Sequence, residues 1–178
     1  MTEPSRRHAV FGYLIAAIIL IADQISKFWI IDLIQLPRRG QIELLPILNF
    51  TWVENRGVSL GMLTASSDTQ RWLLVALTAA IACGVAYWIW REKRRWDVFA
   101  LGLVLGGALG NIGDRIRFGY VADFIDLHFG DFQPFLVFNV ADAAITVGVV
   151  ILVLRAFLLR DTKQPAPDEN DRAANGDE

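Results

Sequence analysis

The sequence has almost none of the residues on which thiol, disulfide or metal chemistry is built. Cys83 is the only cysteine in 178 residues, so no disulfide framework can hold the chain together, and its place in the middle of a long apolar run predicts that it is packed. Only two histidines occur, His8 and His128, and neither has a second imidazole or a thiol at ligand spacing. The sequence therefore implies no metal and no cofactor, and Cys–His or Ser–His nucleophilic pairs find no natural partners. Charge of one sign is also missing. Lys and Arg number 17 against 19 Asp and Glu, a net charge of −2, so nothing global points to nucleic acid. What the chain does have is apolar residues, 54% of it, which excludes a disordered polymer. The length suits one domain.

That apolar content is gathered into long blocks with the charges between them. Residues 72–90 are 19 positions without one charge, close to the ~20 needed to cross a bilayer. Four such blocks, at about residues 9–31, 72–90, 96–113 and 135–154, predict an α-helical integral membrane protein with four spans. Arg6 and Arg7 ahead of an apolar run also describe a secretory signal peptide. No clear small-x-small cleavage site follows, and the helical pattern continues past Asp23 and Lys27 to Ile31, so the first block is read as a span. Trp29, Trp72, Trp88, Trp90 and Trp96 lie near span ends, where amphipathic rings settle among headgroups. Ser67-Asp68-Thr69-Gln70 reads as a capping box opening the second span. Gly102, Gly106 and Gly110 form two small-xxx-small steps, suited to close helix packing.

Basic residues set the expected orientation. With the N-terminus inside, ten Lys and Arg fall on the cytoplasmic side and six on the outer side, which favours cytoplasmic termini. The outer segments are then about 32–71 and 114–134, and residues 41–62 mix β-formers with turn residues as short strands do. The polar tail 161–178, with Pro165 and Pro167, is expected to be disordered.

Charges inside spans are costly and mark functional candidates. Asp23 and Lys27 share a face of the first span; Asn111, Asp114 and Arg115 cluster at the end of the third; Asn139 and Asp142 lie three apart early in the fourth. Given the alternating direction of the spans, all of them reach one depth, near the outer leaflet, with Asp123 and Asp126 in the outer segment directly above. Structural readings exist for several: an ion pair for Asp23 with Lys27, interhelical hydrogen bonds for Asn111 and Asn139, a helix end for Asp114 with Arg115. Asp142, inside a helix with no basic neighbour, is the hardest to read that way. Carboxylates are the remaining chemistry. Two of them sharing a proton supply a base to activate water and an acid for a departing amine. The competing reading is a small proton- or ion-coupled transporter with Asp23, Lys27 and Asp142 as a relay, although the inner halves of the spans are almost wholly apolar.

Five ordered blocks make the chain recognisable: Asp23-Gln24-Ile25-Ser26-Lys27; Asn55-Arg56-Gly57; Gly106 through Arg115; Gly119 through Asp126; and Phe138-Asn139-Val140-Ala141-Asp142. Together they resemble the lipoprotein signal peptidases (signal peptidase II), bacterial inner-membrane aspartyl peptidases. The resemblance implies a catalytic dyad of Asp123 and Asp142. It implies supporting roles for Asp23, Lys27, Asn55, Asn111, Asp114, Arg115 and Asn139, and a small extracytoplasmic β-cradle over residues 41–62. The implied reaction removes the signal peptide from prolipoproteins whose cysteine carries a diacylglyceryl group, cutting just before that cysteine. Prolipoproteins and membrane lipids are then the partners, nucleic acid is not, and a monomer suffices because one chain holds every block. One departure stands out: Val58-Ser59-Leu60-Gly61 follows Gly57 where the family often places an aromatic between small residues.

Overall fold

Apolar runs surrounded by lipid must satisfy their backbone hydrogen bonds internally, and this chain does so with helices. The computed structural model describes residues 3–57, 68–130 and 132–158, with side chains from Arg6 onward. The run from Val58 to Gly61, Ser67 of the expected capping box and the tail 161–178 lie outside the described residues. Helix α1 spans Glu3–Phe28 and widens into a π-helical turn, Trp29–Leu33; a short helix α2 covers Leu36–Arg39. Then come α3 (Asp68–Arg91), α4 (Arg95–Arg117) and α5 (Val140–Leu158). By length and composition α1 with its π turn, α3, α4 and α5 can each cross a membrane, which gives the four-helix class implied by the sequence.

The helix α4 is the hub. Of its spanning window 67% is buried, against 22%, 17% and 17% for α1, α3 and α5, which all pack on it. Glycine makes the closest of these contacts possible. A Cβ on Gly102 would lie 2.6 Å from the carbonyl oxygen of Gly12, and one on Gly106 2.6 Å from that of Ala16, so any side chain would push α1 away. The outer face of α1 is apolar and uncovered at Val10, Leu14, Ile18, Ile21 and Ile25, a helical stripe suited to acyl chains. Cys83, which its mid-span position suggested would be packed, is exposed on α3 instead. This helix is apolar all round, so its sequence does not mark which side faces the protein.

Three antiparallel strands, β1 (Gln41–Leu45), β2 (Leu48–Asn55) and β3 (Val121–Leu127), form a small sheet in that order. The first two fall where short strands were expected, and β3 is additional. Three steps along β2, Phe50 to Val53, match two along β3, Ile125 to Asp123, so β2 carries a bulge beside Asp123. The helix α5 starts later than the apolar run does. Phe138, ahead of it, pairs with β3 instead, exchanging backbone hydrogen bonds with Ile125 at 3.0 and 2.8 Å.

Candidate active site

The local sequence at the start of α5 builds the centre of the site. Asn139 precedes the helix, and its side-chain oxygen accepts the Asp142 N–H at 2.9 Å, while Asp142 Oδ2 accepts the Asn139 N–H at 3.2 Å. This reciprocal pair is a capping box. It fixes the Asp142 carboxylate in the first turn, where the helix dipole favours an anion. Asn111 of α4 donates from Nδ2 to Asp142 Oδ1 at 2.8 Å.

Asp123 arrives from β3. The Asn139 Nδ2 group donates to Asp123 Oδ1 at 2.7 Å, with Asn111 Oδ1 and the Ala122 carbonyl farther off at 3.3 Å each. An amide has two protons to give, so the short contact to Asp123 takes the first of them. Asn55, a diagonal cross-strand neighbour, donates to Asp123 Oδ2 at 3.0 Å and accepts the Gly57 N–H, which orients its amide. Asn139 thus stands between the two carboxylates, bonded to both. Asp123 is 1% exposed, and its pKa is pushed up to about 7, first by burial and then by the neighbouring Asp142 charge. The bonds from Asn55 and Asn139 and the charge of Lys27 act in the opposite direction.

Below this pair lies a second buried group. Lys27 Nζ is 2.8 Å from Asp23 Oδ2 and 2.7 Å from Asp114 Oδ2. Gln24 donates to the same two carboxylates, at 3.1 and 3.2 Å. A Cβ at Gly110 would sit 2.5 Å from Asp23 Oδ2, so this glycine makes room for a carboxylate as well as for a helix. Arg115 bonds weakly, at 3.5 Å, to the carbonyl of Asn111, and its buried Nε has no hydrogen-bond partner. The charges of Asp142, Asp123 and Asp114 all act on it.

The residues picked out in the sequence, Asp23, Lys27, Asn55, Asn111, Asp114, Arg115, Asp123, Asn139 and Asp142, therefore gather at one end of the helices. Asp126 does not join them. Strand alternation turns it to the opposite face from Asp123, where it accepts a hydrogen bond from Thr51 at 2.9 Å. Gln24 was missed as a site residue; its signals were an amide beside Asp23 in an apolar helix and its place in the Asp23–Lys27 block. The backbone N–H groups of Ala122 and Ala141, bonded to Asp114 and Asp23 at 3.1 Å each, had none. Among the described residues no His, Cys, Asp and Glu group is arranged to hold a metal ion.

Four helices able to cross a membrane carry a small sheet, with carboxylates and asparagines where they meet, and this arrangement suits a membrane-embedded aspartic peptidase. The model of the family described as signal peptidase (SPase) II matches residues 15–158. A lipoprotein signal peptidase of Rhizorhabdus wittichii is 60% identical over 166 residues, covering 93% of this chain and 96% of the relative. One of Caulobacter vibrioides is 40% identical over 158 residues, covering 88% and 92%. A bacterial membrane enzyme solved by the in meso method is 30% identical with a TM-score of 0.72, covering 89% of this chain and 93% of its own. The chain belongs to the signal peptidase II family. These matches give the transporter reading no support.

Proposed function

We propose that this enzyme removes the signal peptide from prolipoproteins whose cysteine already bears a diacylglyceryl group, cutting just before that cysteine, with Asp123 and Asp142 as the catalytic dyad. The observation that carries the assignment is Asn139, which bonds both carboxylates from a capping position and holds the buried Asp123 beside the half-buried Asp142. Asp123 is the resting place of the shared proton, supported by its raised pKa, and Asp142 at the helix N-terminus is the base. Asp142 takes a proton from water as the oxygen attacks the scissile carbonyl. Asp123 gives its proton to the amide nitrogen as the C–N bond breaks, leaving a carboxyl on the signal peptide and an amine on the cysteine. The amides of Asn55 and Asn111, each with a second N–H to give, are the donors for the substrate backbone, and the Arg115 charge beside the dyad supports its orientation. No metal or cofactor enters any step.

The topology makes the substrate physically reasonable. A signal peptide crosses the bilayer as a helix, and its lipid-bearing cysteine reaches the outer surface. In the bacterial inner membrane, with both termini cytoplasmic, the dyad lies near the outer leaflet at that depth. Val104, Ala108 and Arg115 are partly covered and share a face of α4 with Asn111. That strip leads across the bilayer to the dyad and suits the signal helix, with acyl chains against neighbouring apolar faces. One chain supplies every group, so the monomer is the working unit.

The direct test is release of signal peptide by purified, folded Asp123→Asn and Asp142→Asn enzymes acting on lipid-modified prolipoprotein. Both should lose at least a thousandfold in rate, and near-normal cleavage by either one removes the dyad assignment. The same wild-type assay with unmodified prolipoprotein should give little product; equal cleavage would remove the diacylglyceryl requirement.

A further inference from the structure

Lys27 is a buried cation that bonds to neither oxygen pair of the dyad. Its ammonium touches Asp23 and Asp114, and the three side chains are at most 3% exposed. Both acids also hold a backbone amide. Asp23 accepts the N–H of Ala141 through Oδ1, and Asp114 accepts the N–H of Ala122 through Oδ2, each at 3.1 Å. Ala141 immediately precedes Asp142, and Ala122 immediately precedes Asp123. The chain ahead of each dyad residue is therefore gripped by a carboxylate, and one ammonium grips both carboxylates. Gln24 ties the same two acids a second time.

We propose that Lys27 is a positioning residue, the common post of a clamp that sets β3 against the first turn of α5 and thereby fixes the spacing of the two dyad carboxylates. This rests on the dyad reading above. Stability alone is a weak reason for such a group, because a buried ion cluster can often be replaced by apolar side chains at no loss. What the cluster supplies is directional. Four elements, α1, α4, β3 and α5, meet through hydrogen bonds whose lengths leave little play, and a misplacement of ~1 Å in a reacting group can cost about a hundredfold in rate.

The test uses full-length enzyme in lipid nanodiscs with a diacylglyceryl lipopeptide substrate, with rates normalised to folded protein. Lys27→Met alone leaves two buried acids uncompensated and endangers the fold. The double variants Lys27→Met/Asp114→Asn and Lys27→Met/Asp23→Asn keep the net charge of the cluster and leave an amide oxygen in place for the gripped N–H. Both should lower kcat about a hundredfold while KM changes less than about threefold. Folded double variants with kcat near wild type overturn the proposal. So does a raised KM with unchanged kcat, which would make the cluster a substrate holder. If the doubles do not fold, an ester in place of the Ala122 or Ala141 amide deletes one gripped N–H and keeps every side chain. Either ester should lower kcat about tenfold, and an unchanged kcat in both overturns the clamp. Asp123→Asn run alongside separates the two readings. An active Asp123→Asn enzyme defeats the dyad, whereas an inactive one beside fully active clamp variants defeats the clamp alone.

Discussion

Replacing Asp123 with Asn should abolish cleavage and, at alkaline pH, stabilise the fold. The carboxyl of Asp123 is 1% exposed beside a second carboxylate, and its pKa stands at about 7 against an ordinary 3.8. A raised native pKa means that the folded protein holds a proton that the unfolded chain has already lost, so stability falls as pH rises from about 4 through 7. At about 1.4 kcal/mol per pH unit, the gap amounts to ~4 kcal/mol at most. Asn does not titrate and escapes this loss. It brings a cost of its own. Asp123 accepts from Asn55 at one oxygen and from Asn139 at the other, and an amide offers only one oxygen. Asn139 is locked by its cap, so the introduced oxygen turns to it and the exposed Asn55 gives way, at a cost of about 1 kcal/mol. The net expectation is a slight destabilisation at pH 4 and a gain of ~2–3 kcal/mol at pH 8. Reversible unfolding of both proteins in mixed micelles, titrated from pH 4 to 8, measures the difference directly. A difference that stays constant over that range would refute the raised pKa, whatever the variant's activity.

The same proton shapes the rate. If Asp123 is the acid, kcat/KM should fall above about pH 7 as its proton leaves, and a profile flat to pH 9 would assign the acid elsewhere. Asn139→Ala should lower kcat at least a hundredfold and destabilise by about 2–4 kcal/mol, a helix cap plus a buried hydrogen bond, as read by paired cleavage and thermal unfolding assays. At the opposite end of the bundle, Arg155 of α5 pairs with Asp97 of α4, whose residue is 8% exposed. Arg155→Gln should destabilise by roughly 1–3 kcal/mol and leave kcat and KM within twofold; a large kcat loss would show that the two ends are coupled.

The membrane class and its four helices were legible because lipid tolerates so little polarity. A span must be a long apolar run, and every exception is conspicuous. The depth of those exceptions followed from helix direction alone, which is why Asp23, Lys27, Asn111, Asp114 and Asp142 could be grouped before any coordinates. What stayed hidden was whatever apolarity does not encode. Phe135, Leu136, Val137 and Phe138 are as apolar as a helix yet lie outside one, and Phe138 finds its hydrogen bonds on β3. The strand itself was missed since Asp123 and Asp126 interrupt its β-forming residues, and their opposite facing depends on a pairing that one segment cannot reveal. Cys83 was expected to be packed and is exposed, because a uniformly apolar helix has no marked side.

Asn139 and Asp142 show most clearly where sequence patterns run out. A spacing of three puts two residues on one face of a helix, and it equally joins an N-cap to the third residue of a helix. The second case holds here, and the difference is chemical. A residue within the helix would have its backbone N–H engaged by the preceding turn. Outside it, the Asn139 N–H bonds to Asp142, its Oδ1 accepts from Asp142 N–H and its Nδ2 is free to reach Asp123. The motif that starts the last helix is thus also the one that joins the two carboxylates. Loss of the capping group at Asn139 disturbs both at once, whereas Ser, which caps as well as Asn but cannot reach as far, is the replacement that separates them.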